Sequence, residues 1–164
     1  MKVGITGHQN LGTRCDVEWI SEMMIHAVDE YDITKGISCL AAGADQLFAE
    51  ILCQRQIPYM AVVPSAGYED TFAESALREN YRLLLIRAQE VMKLDFAFPS
   101  EEAFFAAGKY VVDLSDLVFT VWDGLRAKGL GGTGDIVSYA ASKGKSIVHF
   151  DPIARRVDLK LSSQ

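Results

Sequence analysis

Seven consecutive residues carry the most chemistry per position in this sequence: Gly129-Leu130-Gly131-Gly132-Thr133-Gly134-Asp135. They lie between an apolar run with strand character and a stretch with helical periodicity. Glycine lets a backbone approach a ligand closely and adopt positive φ. The first turn of a helix offers N–H groups without intrahelical partners, and its dipole favours an anion. Thr133 adds a hydroxyl, Asp135 a carboxylate, and Arg126 and Lys128 stand nearby to neutralise phosphate. The expectation is a phosphate or ribose site; the plain alternative is a flexible loop with Thr133 as a helix cap. The motif is neither GxGxxG nor GxxxxGK[ST], so neither a dinucleotide fingerprint nor a P-loop is indicated.

Four other segments hold candidate groups, each with a structural alternative. Gly7-His8-Gln9-Asn10 follows the first apolar run, where His8 can bond a ligand, move a proton near neutrality, or tie loop backbone together. In Gly43-Ala44-Asp45, the Asp45 carboxylate can accept ribose hydroxyls or simply favour a helix start. Between Pro64 and Phe72, Tyr68 or Phe72 can stack on a base and Glu69 or Asp70 can act on a sugar; the plainer reading, a solvated loop with two aromatic anchors, is the favoured one. Trp122-Asp123-Gly124 ends another apolar run and can line the same pocket.

These segments need elements to position them. Strand-like runs at Lys2–Thr6, Ile37–Ala42, Tyr59–Val63, Lys93–Phe98, Leu117–Trp122 and Ser146–Phe150 alternate with helical patterns. The helices are expected at Asp16–Tyr31, capped by Thr13, from Gly43 to Gln56, along a face marked by Leu77, Tyr81, Leu84, Ala88 and Val91, from Ser100, and at Ile136–Ser142. Val157–Leu161 is expected as a short edge strand, and Ser162–Gln164 as a frayed end. Repeated βα units imply one mostly parallel sheet covered on both faces, a Rossmann-like three-layer α/β sandwich. In such sheets ligands bind beyond the carboxyl ends of the strands, where the strand order reverses.

With 164 residues the chain fits a single domain spanning residues 1–164. Its hydrophobic fraction is 49% and its formal net charge −6. The acidity argues against a nucleic-acid partner, which needs clustered Lys and Arg, but leaves room for one phosphate at a helix end. No apolar run approaches the ~20 residues of a membrane span, and no signal peptide is evident, so a cytoplasmic protein is expected. Cys15, Cys39 and Cys53 are widely spaced and read as free thiols; no metal constellation and no cofactor motif is present.

Taken together, Val3-Gly4-Ile5-Thr6-Gly7-His8, Leu40-Ala41-Ala42-Gly43-Ala44-Asp45 and Gly131-Gly132-Thr133-Gly134-Asp135 resemble the SLOG superfamily, over nearly the whole chain to about Asp151. That superfamily includes the LOG-type phosphoribohydrolases, DprA-related proteins and nucleotide-sensing SLOG domains. The resemblance implies a Rossmann-like fold, a homodimer, and a ligand built on a nucleotide or ADP-ribose. LOG enzymes carry PGGxGTxxE, whose glutamate serves catalysis. Aligned on Gly131, Gly132 and Gly134, this chain has Leu130 at the proline, Asp135 at the threonine and Ser138 at the glutamate. The sequence is thus more similar to the sensor branch.

Two functional expectations follow. The first is a binding or sensing module in which Gly131–Gly134 hold phosphate, Gly7 and His8 border it, Asp45 or Asp123 take ribose hydroxyls, and Tyr68 or Trp122 cover the base. The second is an N-glycosidic hydrolase or transferase acting on a nucleotide, with Glu69, Asp135 or Asp45 supplying the carboxylate that such a cationic transition state needs. A third alternative is an interaction protein that keeps the fold without a ligand, with exposed apolar residues of the helical segment Glu74–Val91 as its dimer face.

Overall fold

The computed structural model describes residues 1–126 and 129–161. Lys128, expected to help neutralise phosphate, and Ser162–Gln164, expected to fray, lie outside them. Seven strands form one sheet in the order β4-β3-β2-β1-β5-β6-β7. They are β1 (Lys2–Gly7), β2 (Lys35–Ser38), β3 (Tyr59–Val63), β4 (Glu90–Lys93), β5 (Leu117–Val121), β6 (Ser146–Asp151) and β7 (Arg156–Lys160). All neighbours pair in parallel except β6 and β7. The α-helices among the described residues are α1 (Arg14–Glu30), α2 (Ala44–Gln54), α3 (Ser75–Arg87), α4 (Glu101–Leu114) and α5 (Thr133–Ser142), with a 3-10 turn at Tyr68–Thr71. No described helix is long and apolar enough to cross a membrane.

Strand alternation sorts the core into two layers. On one face Val3, Ile5, Phe119, Val148 and Phe150 meet Ile20 and Met24 of α1, Phe48 and Leu52 of α2, and Tyr81 and Leu84 of α3. On the other, Val118 and Ile147 meet Val112 of α4 and Ile136 and Ala140 of α5, while Ile37 and Val62 meet Ala107 and Val111. The chain builds outward from β1 to β4, then returns to place β5 on β1's other side. The order therefore reverses between β1 and β5.

Local chemistry explains most boundaries. Thr13 accepts from the Asp16 N–H, and the Asp16 carboxylate accepts from the Thr13 N–H at 2.8 Å, a reciprocal cap that starts α1. β2 stops at Ser38, short of the expected Ala42, because the Cys39 N–H turns to the Asp45 carboxylate at 3.1 Å and Leu40 takes φ 55°. The expectation for the next stretch fails. α3 ends at Arg87, and β4 occupies Glu90–Lys93 rather than Lys93–Phe98. Val91 belongs to this strand and is exposed, not part of a buried helix face. All four β4 residues are exposed at the sheet edge, so no burial periodicity marked them.

Candidate functional site

The reversal point brings two of the singled-out segments together. β1 and β5 run side by side to Gly7 and Val121, and the His8 N–H continues the ladder to the Val121 carbonyl at 3.0 Å. Beyond this point the His8 Nε2 stands 3.1 Å from the Asp123 Oδ1 and 3.1 Å from the Asp123 N–H. A neutral Nε2 accepts from the N–H; a protonated one donates to the carboxylate. It cannot do both, so protonation exchanges one contact for the other. Burial raises the Asp123 carboxyl, but the Leu125 N–H and His8 outweigh it and hold the group below its ordinary value. Gly7 is required by packing: a Cβ there would lie 2.5 Å from that of Ala44.

The glycine segment follows the loop that leaves β5, lies against α4 and leads into α5. Gly132 caps α5 with φ −68° and offers no side-chain cap, so Thr133 is the first helical residue rather than the cap. The amides of Thr133 and Gly134 open a turn for which helical bonding supplies no acceptor. Asp135 turns back and accepts the Gly131 N–H at 3.0 Å. Gly131 has φ 82°, and a Cβ there would lie 2.8 Å from the Phe105 amide nitrogen of α4. Its glycine is thus demanded by the α4 contact, whereas Gly132 has an ordinary backbone. Ser138, at the position of the LOG glutamate, bonds back to the Gly134 carbonyl at 2.9 Å.

On the same face, Thr6, Thr120 and His149 stand in register across β1, β5 and β6. The Thr120 hydroxyl is fully buried without a hydrogen-bond partner among the described residues. His149 Nε2 lies 2.8 Å from the Trp122 carbonyl, and its ring packs against the Trp122 indole. Trp122 also donates Nε1–H to the Leu125 carbonyl at 2.8 Å, which anchors its ring at the end of β5.

The remaining candidates are committed elsewhere. Tyr68 is 6% exposed and packs edge-on against Phe72, Tyr81 and Phe104. Glu69 makes a two-pronged ion pair with Arg82, 3.1 Å in each arm, which lowers its carboxyl pKa. Both follow β3, two strands from the reversal. Gly43 has φ 81°, and a Cβ there would run into the carbonyls of His8 and Gln9. Asp45 is buried, its carboxylate directed at Ser38 and Cys39; burial lifts its pKa to about 7 against the bonds from Ala41, Cys39 and Ser38.

Sequence reasoning missed Arg155. From the β6–β7 turn it reaches Asp16 Oδ1 at 3.0 Å, at the first turn of α1. No local pattern signals a partner so distant in the chain. Arg14 opens α1 and Arg126 lies in the loop after β5, so three arginines stand at the carboxyl end of the sheet. Among the described residues no cluster of His, Cys, Asp and Glu is arranged to hold a metal. Two surface hollows of about 370 and 410 Å³ lie at the start of β3 and against α4, and none of the candidate residues lines them.

Solved structures share this arrangement. DNA processing protein A from Streptococcus pneumoniae superimposes with a TM-score of 0.63 at 17% identity, over 90% of this chain and 49% of that one. DNA processing protein A from Helicobacter pylori, whose structure describes a single-stranded DNA binding mode, gives 0.66 at 17% identity, over 91% of this chain and 64% of that one. The protein TM1055 gives 0.54 at 13% identity, over 89% and 71%. The chain has the Rossmann-like fold of these structures. It spans about half to two-thirds of the length of the two DNA processing proteins. No family model and no curated protein matches the sequence.

The likeness corrects one expectation. The acidic net charge argues against a nucleic-acid partner, yet DNA processing protein A from Helicobacter pylori, which shares the fold, has a single-stranded DNA binding mode. Total charge sums over the whole surface, whereas a phosphate chain meets only a local stripe.

Proposed function

We propose that this chain is a binding module for a phosphate-bearing nucleotide ligand, seated where the strand order reverses between β1 and β5. The observation that carries this reading is the start of α5: a helix N-terminus capped only by Gly132, following the loop that leaves the reversal point. Phosphate would lie against the amides of Thr133 and Gly134, where backbone donors and dipole favour an anion. Asp123 and Asp135 would accept ribose hydroxyls, and Trp122 would border the base. Thermal shifts with AMP, ADP, ADP-ribose and cyclic AMP test it. A ligand at ~100 times its Kd stabilises by about 2.7 kcal/mol, roughly 5–10 °C for a domain of this size. Gly132→Phe should remove that shift while the unliganded Tm holds. An unchanged shift in Gly132→Phe, or none in the wild type, defeats the placement.

A second reading, a single-stranded nucleic acid laid across the same end, is favoured by the fold shared with a single-stranded DNA binder and by Arg126, with Arg14 and Arg155 beside it, which would exchange their exposed ion pairs with Glu18 and Asp16 for phosphates. Binding is preferred to N-glycosidic cleavage because Glu69 is paired with Arg82 and Asp45 is buried against Ser38 and Cys39, while Asp135, which accepts the Gly131 N–H through one oxygen, keeps the other for a ribose hydroxyl. A homodimer belongs to the same proposal. Leu83 and Ile86 of α3 are 50% and 81% exposed, and light scattering reads the state directly. The free thiols Cys39 and Cys53 suit a reducing cytoplasm.

A further inference from the structure

The turn Ser38–Gly43 joins a buried carboxylate to the reversal point. Asp45 Oδ2 receives the Ser38 hydroxyl at 3.3 Å and the Cys39 N–H at 3.1 Å, and the Ala41 N–H also bonds the carboxylate. Ser38 Oγ in turn accepts the Leu40 N–H at 2.9 Å. These bonds hold Leu40, fully buried, at φ 55°, a left-handed conformation that a leucine adopts only under constraint. Beyond it, Gly43 lies against the carbonyls of His8 and Gln9, and the Ala44 N–H donates to the His8 carbonyl at 3.1 Å. His8 is the residue paired with Asp123.

Every group named around the Asp45 carboxylate is a donor. An ionised carboxylate accepts from all of them; a protonated one carries an O–H that needs an acceptor. The nearest is Ser38 Oγ. If Asp45 donates there, the Ser38 hydroxyl hydrogen must leave the carboxylate, and the Asp45 carbonyl at 3.4 Å is the acceptor within its reach. One proton is taken from solvent, one hydrogen bond reverses, and the charge that held the Cys39 and Ala41 amides is gone.

We propose that Ser38–Gly43 is a proton-operated latch on the strand-end site: ionised Asp45 holds the Leu40 turn closed against His8, and protonation releases it. Burial pushes the Asp45 carboxyl up to about 7 against the hydrogen bonds from Ala41, Cys39 and Ser38. The ionisable groups that interact with it are the Cys39 thiol and, from the 3-10 turn after β3, the Tyr68 phenol; burial pushes both well up, so both stay neutral while Asp45 changes charge. The consequence for ligand binding rests on the reading above; the latch itself does not.

The test is a pH titration of the full chain, labelled with 15N and 13C, from pH 5 to 9 without ligand. The expected result is an Asp45 carboxyl carbon that titrates near neutrality, with the amides of Cys39, Leu40, Ala41 and Gly43 moving at the same midpoint. In Asp45→Asn the step at Cys39–Gly43 should vanish. A carboxyl midpoint below about 5 overturns the latch, as do amides that stay flat. A step that survives in Asp45→Asn overturns it too, because it then belongs to another group such as the His8 imidazole. Should Asp45→Asn not fold, the wild-type carboxyl midpoint decides alone. With AMP as probe, binding should weaken at least threefold between pH 8 and pH 6 in the wild type and less in Asp45→Asn. Absence of AMP binding at every pH counts against the site reading and leaves the titration result standing.

Discussion

At the residue scale, adjacent glycines answer to different physics. Gly131 sits at φ 82° with the α4 backbone beside it; Gly132 sits at an ordinary φ of −68°. Gly131→Ala should therefore destabilise by roughly 1–3 kcal/mol through backbone strain and the clash with Phe105, read as a lower urea midpoint, and Gly132→Ala should cost less. Asp45 has the opposite character from a salt-bridged carboxylate. Burial pushes its folded pKa up to about 7, above the ordinary carboxyl value of 3.8, so the folded state holds the proton more tightly. Its stabilising contribution is complete below the unfolded value and is lost as pH rises through about 7. Unfolding free energies measured at pH 5 and pH 8 should fall with pH in the wild type, and the fall should shrink in Asp45→Asn. Equal falls in the two proteins would show that other groups carry the dependence.

At the element scale, helix starts decide where an anion can go. The Thr13–Asp16 cap brings a carboxylate to the N-terminus of α1, and Arg155 covers it. The carboxylate makes that end a poorer seat for a mononucleotide phosphate, although the helix after the first strand is a familiar anion site in Rossmann-like folds. α5 has no such cap, which moves the ligand proposal across the reversal point. Thr13→Ala should lower stability by roughly 1 kcal/mol, a Tm drop of about 2–4 °C, and leave ligand affinity unchanged. A drop in affinity would place the ligand on α1 instead. Element boundaries were legible where a cap or an apolar run marked them, as with Thr13 or Tyr59–Val63. β4 was not. Its four residues are exposed on both faces, so only pairing with β3 makes them a strand.

At the scale of the whole molecule, a net charge of −6 coexists with three arginines at the carboxyl end of the sheet. If a single strand of nucleic acid lies there, replacing Arg14, Arg126 and Arg155 together by Ala should weaken a fluorescent oligothymidylate. It should also flatten the dependence of its affinity on salt by about two in the log–log slope, since each phosphate contact in a single strand contributes about 0.7. AMP binding should change far less. Equal loss for both ligands would point to one mononucleotide site, and an unaltered salt slope would remove the arginines from the interface.

By itself the sequence determined the alternation of strands and helices, hence the three-layer class, and it marked the glycine segment and His8. These are local properties: apolar periodicity, caps and backbone freedom act within a few residues. Only the tertiary structure decided the strand order, and with it that Gly7-His8 and Trp122-Asp123 meet while Tyr68 and Glu69 do not. It also turned Asp45 inward and brought Arg155 to Asp16. Such pairings depend on which strands lie side by side and which face a side chain takes. They are settled by burial of the whole sheet between its helices, which no window of neighbouring residues contains.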